Sequence, residues 1–257
     1  MNWTVFRRMA SAVVVAGALS GVLLSGVQQF QVEKLILQAE QYEKAAEESP
    51  PAASSASAAS AATSSAHEHE HAPAHEHASA ASAHEHTHDA DAWEPADGAE
   101  RTGYTVLANV SMAVGFALLL VAAITLSGRQ VSWRSGLLWG LAGYGVFFVA
   151  PSLGLPPEVP GTLAAPLQAR QFWWVMTAVM TAASLGLFVF TRAWWCKLLA
   201  VALLVVPHLV GAPQPEVHGG VAPEELAHAF IRATALANAV FWLALGGLTG
   251  FFYRRFG

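Results

Sequence analysis

The densest concentration of possible metal ligands in the sequence is a stretch in which histidine alternates with acidic residues. Eight of the 11 histidines lie there, at His67, His69, His71, His75, His77, His84, His86 and His88. Imidazole suits Zn, Cu, Fe and Ni, with Co among them in the affinity series, and the interleaved Glu and Asp add oxygen ligands. The composition predicts divalent-metal binding; an expression tag and a spacer without function are the alternatives.

The residues before this stretch limit how well it can choose a metal. Residues 49–66 are almost wholly Ala, Ser and Pro, a composition that cannot bury a core and favours disorder. Ligands on a disordered chain impose no geometry, so affinity should follow the Irving–Williams order, with Cu and Ni above Co. We therefore expect the stretch to gather metal rather than to select it.

Four further residues combine metal-ligand chemistry with a suggestive position. His208 lies near the end of an apolar stretch, where an ionisable group is a functional candidate, although it could simply bond to backbone carbonyls freed by nearby prolines. Glu224 and His228 are four residues apart, on one helix face, and could ligate a cation together or form an ordinary helix-start charge pattern. Glu158 lies in a proline-rich turn.

The elements that must position these residues are transmembrane helices. Hydrophobic residues make up 54% of the 257 residues and charged residues only 12%, against about 25% charged in a typical soluble domain. A bilayer core needs about 20 apolar residues per span. Stretches of about this length without Asp, Glu, Lys or Arg occur six times, at 9–32, 102–128, 135–157, 171–191, 198–215 and 233–253.

The predicted fold class is therefore an all-α membrane protein with six transmembrane helices and a long disordered His-rich outer loop. The predicted parts are 1–32, an N-terminus with the first span; 33–101, a periplasmic loop that starts as a helical extension; and 102–257, a five-span helical bundle. Prolines should unwind the outer end of the fifth span. The first span is longer than a signal-peptide core, so we expect it to be retained as an anchor.

Charge gives the orientation. Eight basic residues lie in four segments that contain no acidic residue: Arg7, Arg8, Arg129, Arg134, Arg192, Lys197, Arg254 and Arg255. The positive-inside rule then places both termini in the cytoplasm. It also places Glu158, His208, Glu224 and His228 together on the outer face. Tryptophans at the span boundaries, namely Trp133, Trp173, Trp174, Trp194 and Trp195, resemble an aromatic belt.

Small and amide side chains within the spans have a packing interpretation. Glycines recur at four-residue spacing, as in the pairs Gly17/Gly21, Gly136/Gly140 and Gly246/Gly250, and such pairs let helices approach closely within one bundle. Asn109 and Asn238 could line a path, but hydrogen bonding between helices is the commoner use of such residues.

Several function classes are disfavoured. A net charge of −5 gives no basic field for nucleic acid. The single cysteine, Cys196, cannot supply a cysteine-based metal site. Neither a phosphate-binding loop nor a Gly-x-Ser-x-Gly motif occurs. We therefore expect no enzyme activity and no prosthetic group.

Several segments resemble the CbtA family of proposed cobalt transporter subunits. The most specific are Leu155-Pro156-Pro157-Glu158 and Pro207-His208-Leu209-Val210-Gly211-Ala212-Pro213. Others are Phe6-Arg7-Arg8, Leu37-Gln38-Ala39-Glu40-Gln41-Tyr42-Glu43, the Gly136–Gly143 run, Arg170-Gln171-Phe172-Trp173-Trp174 and Tyr253-Arg254-Arg255-Phe256. The resemblance covers the chain except the Ala/Ser/His insert, and it carries over no ligand residues.

This resemblance implies a bacterial inner-membrane protein that takes up cobalt for cobalamin synthesis, with a small single-span CbtB-type subunit as partner. The residues and the resemblance together predict a divalent-cation permease subunit in the lipid bilayer, with Co²⁺ or Ni²⁺ as the transported ion. The alternative is a membrane-anchored metal-binding or metal-sensing module without transport activity. Six spans are more than an anchor needs, which favours transport.

Overall fold

A computed structural model describes residues 3–48, 95–217 and 219–256. These residues form six helices and no strand: α1 Trp3–Glu48, α2 Ala99–Ser127, α3 Trp133–Ser152, α4 Leu167–Phe190, α5 Trp194–Val210 and α6 Glu224–Phe256. The predicted disordered loop, with the eight histidines from His67 to His88, lies outside the described residues.

Five of the six helices are long and apolar enough to cross a membrane: α1, α2, α3, α4 and α6. The other one, α5, has only 17 residues, which rise about 25 Å against a bilayer core of about 30 Å. It ends at Val210 because Gly211 adopts a positive φ of 84° and prolines follow. The predicted unwinding at the proline-containing end of 198–215 is therefore confirmed. The described residues contain five candidate spans, where the sequence predicted six.

The first helix continues far beyond a membrane span. It has 46 residues, about 69 Å of helix, and its last part packs on the start of α6. Ala39 is fully buried, and Leu35 and Ile36 contact a core that includes Leu226 and Phe230. The predicted helical extension of the first span is confirmed, and it packs against the first turns of α6.

Glycine-to-glycine contact joins α3 to α6. Gly136 and Gly140 of α3 face Gly246 and Gly250 of α6 in antiparallel register. A Cβ atom on Gly140 would overlap the carbonyl oxygen of Trp242, and one on Gly246 would overlap that of Gly136. The predicted role of these small residues in packing one bundle is confirmed.

The pair α1 and α2 is also antiparallel and close. A Cβ on Gly21 would lie 2.6 Å from the Cα of Val110. One side-chain amide adds polar contacts, because Nδ2 of Asn109 donates to Oγ of Ser25 at 3.0 Å and to Oε1 of Gln28 at 2.6 Å. Asn109 therefore bonds between helices, as predicted, whereas the amide of Asn238 donates to a carbonyl of its own helix.

Helices α4 and α5 form an antiparallel hairpin joined by residues 191–193. Buried Ser184 Oγ donates to the carbonyl of Ala200 across the hairpin at 2.7 Å. The hairpin meets the bundle mainly at the C-terminal half of α3, where the helix widens into a π turn at Gly145–Val149 just before Pro151. Away from that contact, an apolar cleft of about 840 Å³ separates α4 from α2 and α3.

The two ends of this arrangement differ in character. We call the end that carries residues 153–166, 211–217 and 219–223 the loop end, and the opposite one the basic end. At the basic end, Arg129 closes the cleft by donating to the carbonyl of Val189 at 3.3 Å and lying 4.8 Å over the ring of Phe190. Both described chain ends, at Trp3 and Phe256, belong to the basic end.

Gly246→Ala should destabilise the bundle by about 1–3 kcal/mol, because the added methyl group overlaps the backbone of α3. Thermal unfolding of the purified protein in detergent measures this change. Gly115→Ala is the matched control, since nothing lies within 4 Å of its added Cβ and alanine is favoured over glycine inside a helix by about 0.5–1 kcal/mol. Equal melting temperatures for the two variants would contradict the packing account.

Candidate functional site

A cavity of about 240 Å³ opens at the loop end of the bundle. Its walls come from the turn at 154–165, from residues 213–215 with Gly219, and from Ala227 and Ile231 of α6. Glu158 is the acidic residue in this lining, together with the polar side chains of Thr162 and Gln214. The predicted ligand in the proline-rich turn is therefore placed in a solvent-accessible hollow.

The carboxylate of Glu158 is already paired. Nη2 of Arg170, in the first turn of α4, donates to its Oε2 at 2.8 Å. The two side chains are 28% and 30% exposed, so the pair is partly desolvated. Any cation that reaches Glu158 meets a carboxylate whose charge is balanced by a guanidinium.

His208 lies in the last turn of α5, directly after Pro207, and is partly buried. Its ring stands edge-to-face on the ring of Trp173, with centroids 6.0 Å apart. The same tryptophan donates Nε1–H to the carbonyl oxygen of Pro207 at 3.2 Å. The backbone N–H of Gly211 donates to the same carbonyl oxygen at 3.1 Å.

These bonds refine the expectation that prolines free carbonyls beside His208. The carbonyl of Pro207 accepts two hydrogen bonds and is not free. Proline lacks an N–H, so the carbonyl that loses its helical donor is that of Leu203, one turn earlier. The alternative in which His208 only packs is therefore supported by the edge-to-face position of its ring on buried Trp173.

Glu224 and His228 form a pair on the surface. Helix α6 begins at Glu224 after Pro223, and Oε1 of Glu224 lies 3.5 Å from Nε2 of His228. The side chains are 89% and 64% exposed, so the pair is available to ions but solvated. Both alternatives for the pair remain: two ligands on one helix face, or helix-start charges near the N-terminal end of the dipole.

The structure does not assemble these predicted ligands into one preformed cage. Within residues 3–48, 95–217 and 219–256, no three His, Cys, Asp or Glu side chains lie close enough to hold a metal ion together. Glu158 lines the cavity, His208 is held against Trp173, and Glu224 with His228 stands on the surface. Their role as metal ligands stays a prediction.

Two residues that sequence reasoning did not assign to the site hold it together. Trp173 anchors the end of α5, and its ring also fills the space beside Gly154, where a Cβ would lie 2.5 Å from it. Arg170 pairs with Glu158. The signal for that pair was available, because Glu158 is the only acidic residue between 101 and 215, and Arg170 the only basic residue between 135 and 191.

Over the described residues, the structure is that of a helical membrane protein with five candidate spans. At its loop end it has a cavity whose described lining includes one ionisable residue, Glu158. The family model described as the probable cobalt transporter subunit, CbtA, matches residues 6–254, and the chain belongs to this family. The resemblance found in the sequence is thereby confirmed. No curated protein and no solved structure matches the chain.

Trp173→Phe should loosen the loop end of α5, because a buried hydrogen bond to the carbonyl of Pro207 is lost, at a cost of about 1–2 kcal/mol. Faster amide hydrogen exchange at residues 208–212 would report the change. Trp174→Phe is the control: its neighbour is the Phe147 ring at 6.1 Å, a contact that phenylalanine retains. Unchanged exchange in Trp173→Phe would contradict the anchoring role.

Proposed function

We propose that this chain is the membrane-spanning subunit of a cobalt uptake transporter in the bacterial inner membrane, and that it supplies Co²⁺ for cobalamin synthesis. The observation that carries the proposal is the match of residues 6–254 to a probable cobalt transporter subunit. The loop-end cavity adds a site of fitting chemistry, because it offers a carboxylate to a cation.

We count α5 as a sixth span. It runs antiparallel along α4, so it occupies the same layer as a helix of spanning length. Its shortfall of about 5 Å is a mismatch that local thinning of the bilayer accommodates at modest cost. With six spans, the loop end faces the periplasm and both termini lie in the cytoplasm, as the eight basic residues of the acid-free segments require.

The proposed capture of the ion proceeds in steps rather than in one cage. The eight loop histidines raise the local concentration of Co²⁺, or of Ni²⁺. Their stretch is attached at the loop end, where Nη2 of Arg101 binds Glu40 of α1 at 2.6 Å. Glu224 with His228, then Glu158, then His208 offer successive ligands, and weak successive sites favour passage because an ion must also leave each one.

The driving force comes from outside the chain's own chemistry. The sequence has no phosphate-binding loop, so we assign no ATP-driven step to it. A dication moving inward gains about 4.6 kcal/mol at 100 mV, twice the value for a single charge. A single-span CbtB-type subunit is the proposed partner, since the family is described as a transporter subunit.

Cells that produce the chain with its partner should take up radioactive Co²⁺ faster than cells without them, with Ni²⁺ as a competitor. Glu158→Gln and His208→Gln should each lower the initial rate several-fold at normal protein level in the membrane, because each removes a ligand from the proposed route. Glu40→Gln, which removes a paired carboxylate that does not line the cavity, is the control.

Two results would redirect the proposal. Uptake equal to that of cells without the chain, with Co²⁺ still bound by the purified protein, would favour a binding or sensing module. Normal uptake in His208→Gln would leave His208 with a packing role only.

Single cysteines placed at residues 53, 97 and 216 in a Cys196→Ser background should react with an impermeant thiol reagent in intact cells. Cysteines at residues 130 and 256 should react only after the membrane is opened. We expect this pattern because the positive-inside rule places the basic segments that contain no acidic residue on the cytoplasmic side. The reverse labelling pattern would refute both the orientation and the proposed direction of transport.

A further inference from the structure

The pairing of Arg170 with Glu158 creates a conflict that the proposed capture site must resolve. Glu158 lines a cavity proposed to attract a dication, yet the positive guanidinium of Arg170 places its Nη2 2.8 Å from the Oε2 of Glu158. Either the ion pair has only a structural role, or the guanidinium influences how a cation binds to Glu158. The geometry of the loop end decides between these two roles.

The anchoring of α4 is supplied elsewhere. One turn after Arg170, the ring of Trp173 is buried and bonds to Pro207. Residues 167–169, which precede Arg170 in α4, are exposed instead. Because the helix is held by Trp173, the long Arg170 side chain can leave Glu158 and extend into water without displacing α4. An ion pair that is about one-third exposed contributes little to the stability of the fold, so replacement of the guanidinium by another cation leaves α4 in place.

We propose that Arg170 is a built-in competitor at Glu158: the guanidinium occupies the carboxylate while the cavity is empty, and an arriving cation must displace it. This inference rests on the proposed function of the cavity as a capture site. In this role, Arg170 sets the Co²⁺ concentration that capture requires, and it sets the preference of the site for divalent over monovalent ions.

The selectivity follows from charge. A tethered guanidinium competes at high effective concentration and keeps its charge across the physiological pH range. A monovalent ion that replaces it gains no charge, so Na⁺ and K⁺ do not open the pair. A divalent ion doubles the attraction to the carboxylate. Arg170 therefore keeps the cavity closed to the abundant monovalent ions and lets divalent ions in above a threshold concentration.

A second ion pair at the loop end provides a comparison within the same chain. Arg101 and Glu40 lie 2.6 Å apart with side chains 32% and 25% exposed, which closely matches the Arg170–Glu158 pair. Arg101 also binds Asp97 at 3.2 Å, and Glu40 is not among the residues that line the cavity. This pair links α1 to α2, and because Glu40 lies outside the cavity, its opening adds no carboxylate to the proposed capture site.

Equilibrium binding of radioactive Co²⁺ to the purified full-length chain in lipid nanodiscs tests the inference. Arg170→Gln should lower the half-saturating Co²⁺ concentration of the cavity site on the order of tenfold, because it removes one positive charge next to a divalent ion. It should also make that binding sensitive to 100 mM KCl. The matched control Arg101→Gln should leave both quantities unchanged, and the loop histidines contribute equally in every variant.

The double variant Arg170→Gln/Glu158→Gln assigns the gain to Glu158, since it should bind no more tightly than Glu158→Gln alone. A gain that survives in the double variant, an equal gain in Arg101→Gln, or no gain in Arg170→Gln would each overturn the inference. The melting temperature identifies any variant that does not fold. Arg170→Lys keeps the positive charge, so it should retain the half-saturating Co²⁺ concentration of the original chain.

Uptake measured in parallel separates this inference from the proposed function. A tenfold gain in binding without any Co²⁺ uptake would uphold the role of Arg170 and refute transport. Uptake that depends on Glu158 but has the same half-saturating concentration in Arg170→Gln would uphold the capture site and refute the competitor.

Discussion

The structure depends on how closely its helices approach one another. Water drives apolar faces together in soluble proteins, but in a bilayer the lipid tails are as apolar as the side chains. Association then rests on van der Waals contact, and contact requires small residues. Gly136, Gly140, Gly246 and Gly250 provide it between α3 and α6. Through α6 this contact also fixes α1, and through α3 it fixes the hairpin.

The hairpin of α4 and α5 is held differently, by one aromatic anchor at the loop end. Trp173 fills the space beside Gly154 and bonds to the carbonyl of Pro207. This single side chain joins the turn after α3, the start of α4 and the end of α5. The indole therefore supports the backbone at Gly154, which lines the cavity, and this support is what the proposed exchange of partners at Glu158 and Arg170 requires.

The sequence predicted those features that a local pattern encodes. Apolar run length located the helices, and the face shared by Leu35, Ile36 and Ala39 predicted the extension of α1. The glycine spacing identified packing surfaces but not which surfaces meet. Trp173 was wrongly assigned to an aromatic belt: Trp133, Trp194 and Trp195 are exposed as a belt requires, whereas Trp173 is buried. Proximity to a boundary does not reveal which way an indole points.

The pairing of Glu158 with Arg170 escaped prediction for a related reason. Twelve residues separate them, and no helical or strand period relates a turn residue to the first turn of the next helix. Only the path of the chain through 159–166 brings them together. A charge inventory would have helped, because each is the single charge of its sign over a long stretch, and an isolated charge near a bilayer needs a partner.

The same charge argument separates the large cleft from the proposed route of the ion. The cleft between α4 and the bundle is walled mainly by aliphatic and aromatic side chains, and Arg129 lies at its basic end. A dication there would lose its hydration without gaining ligands and would meet a positive charge at the exit. The cleft suits acyl chains or an apolar helix instead. The proposed capture of a cation therefore fits the loop end better, where the carboxylate of Glu158 is paired with Arg170.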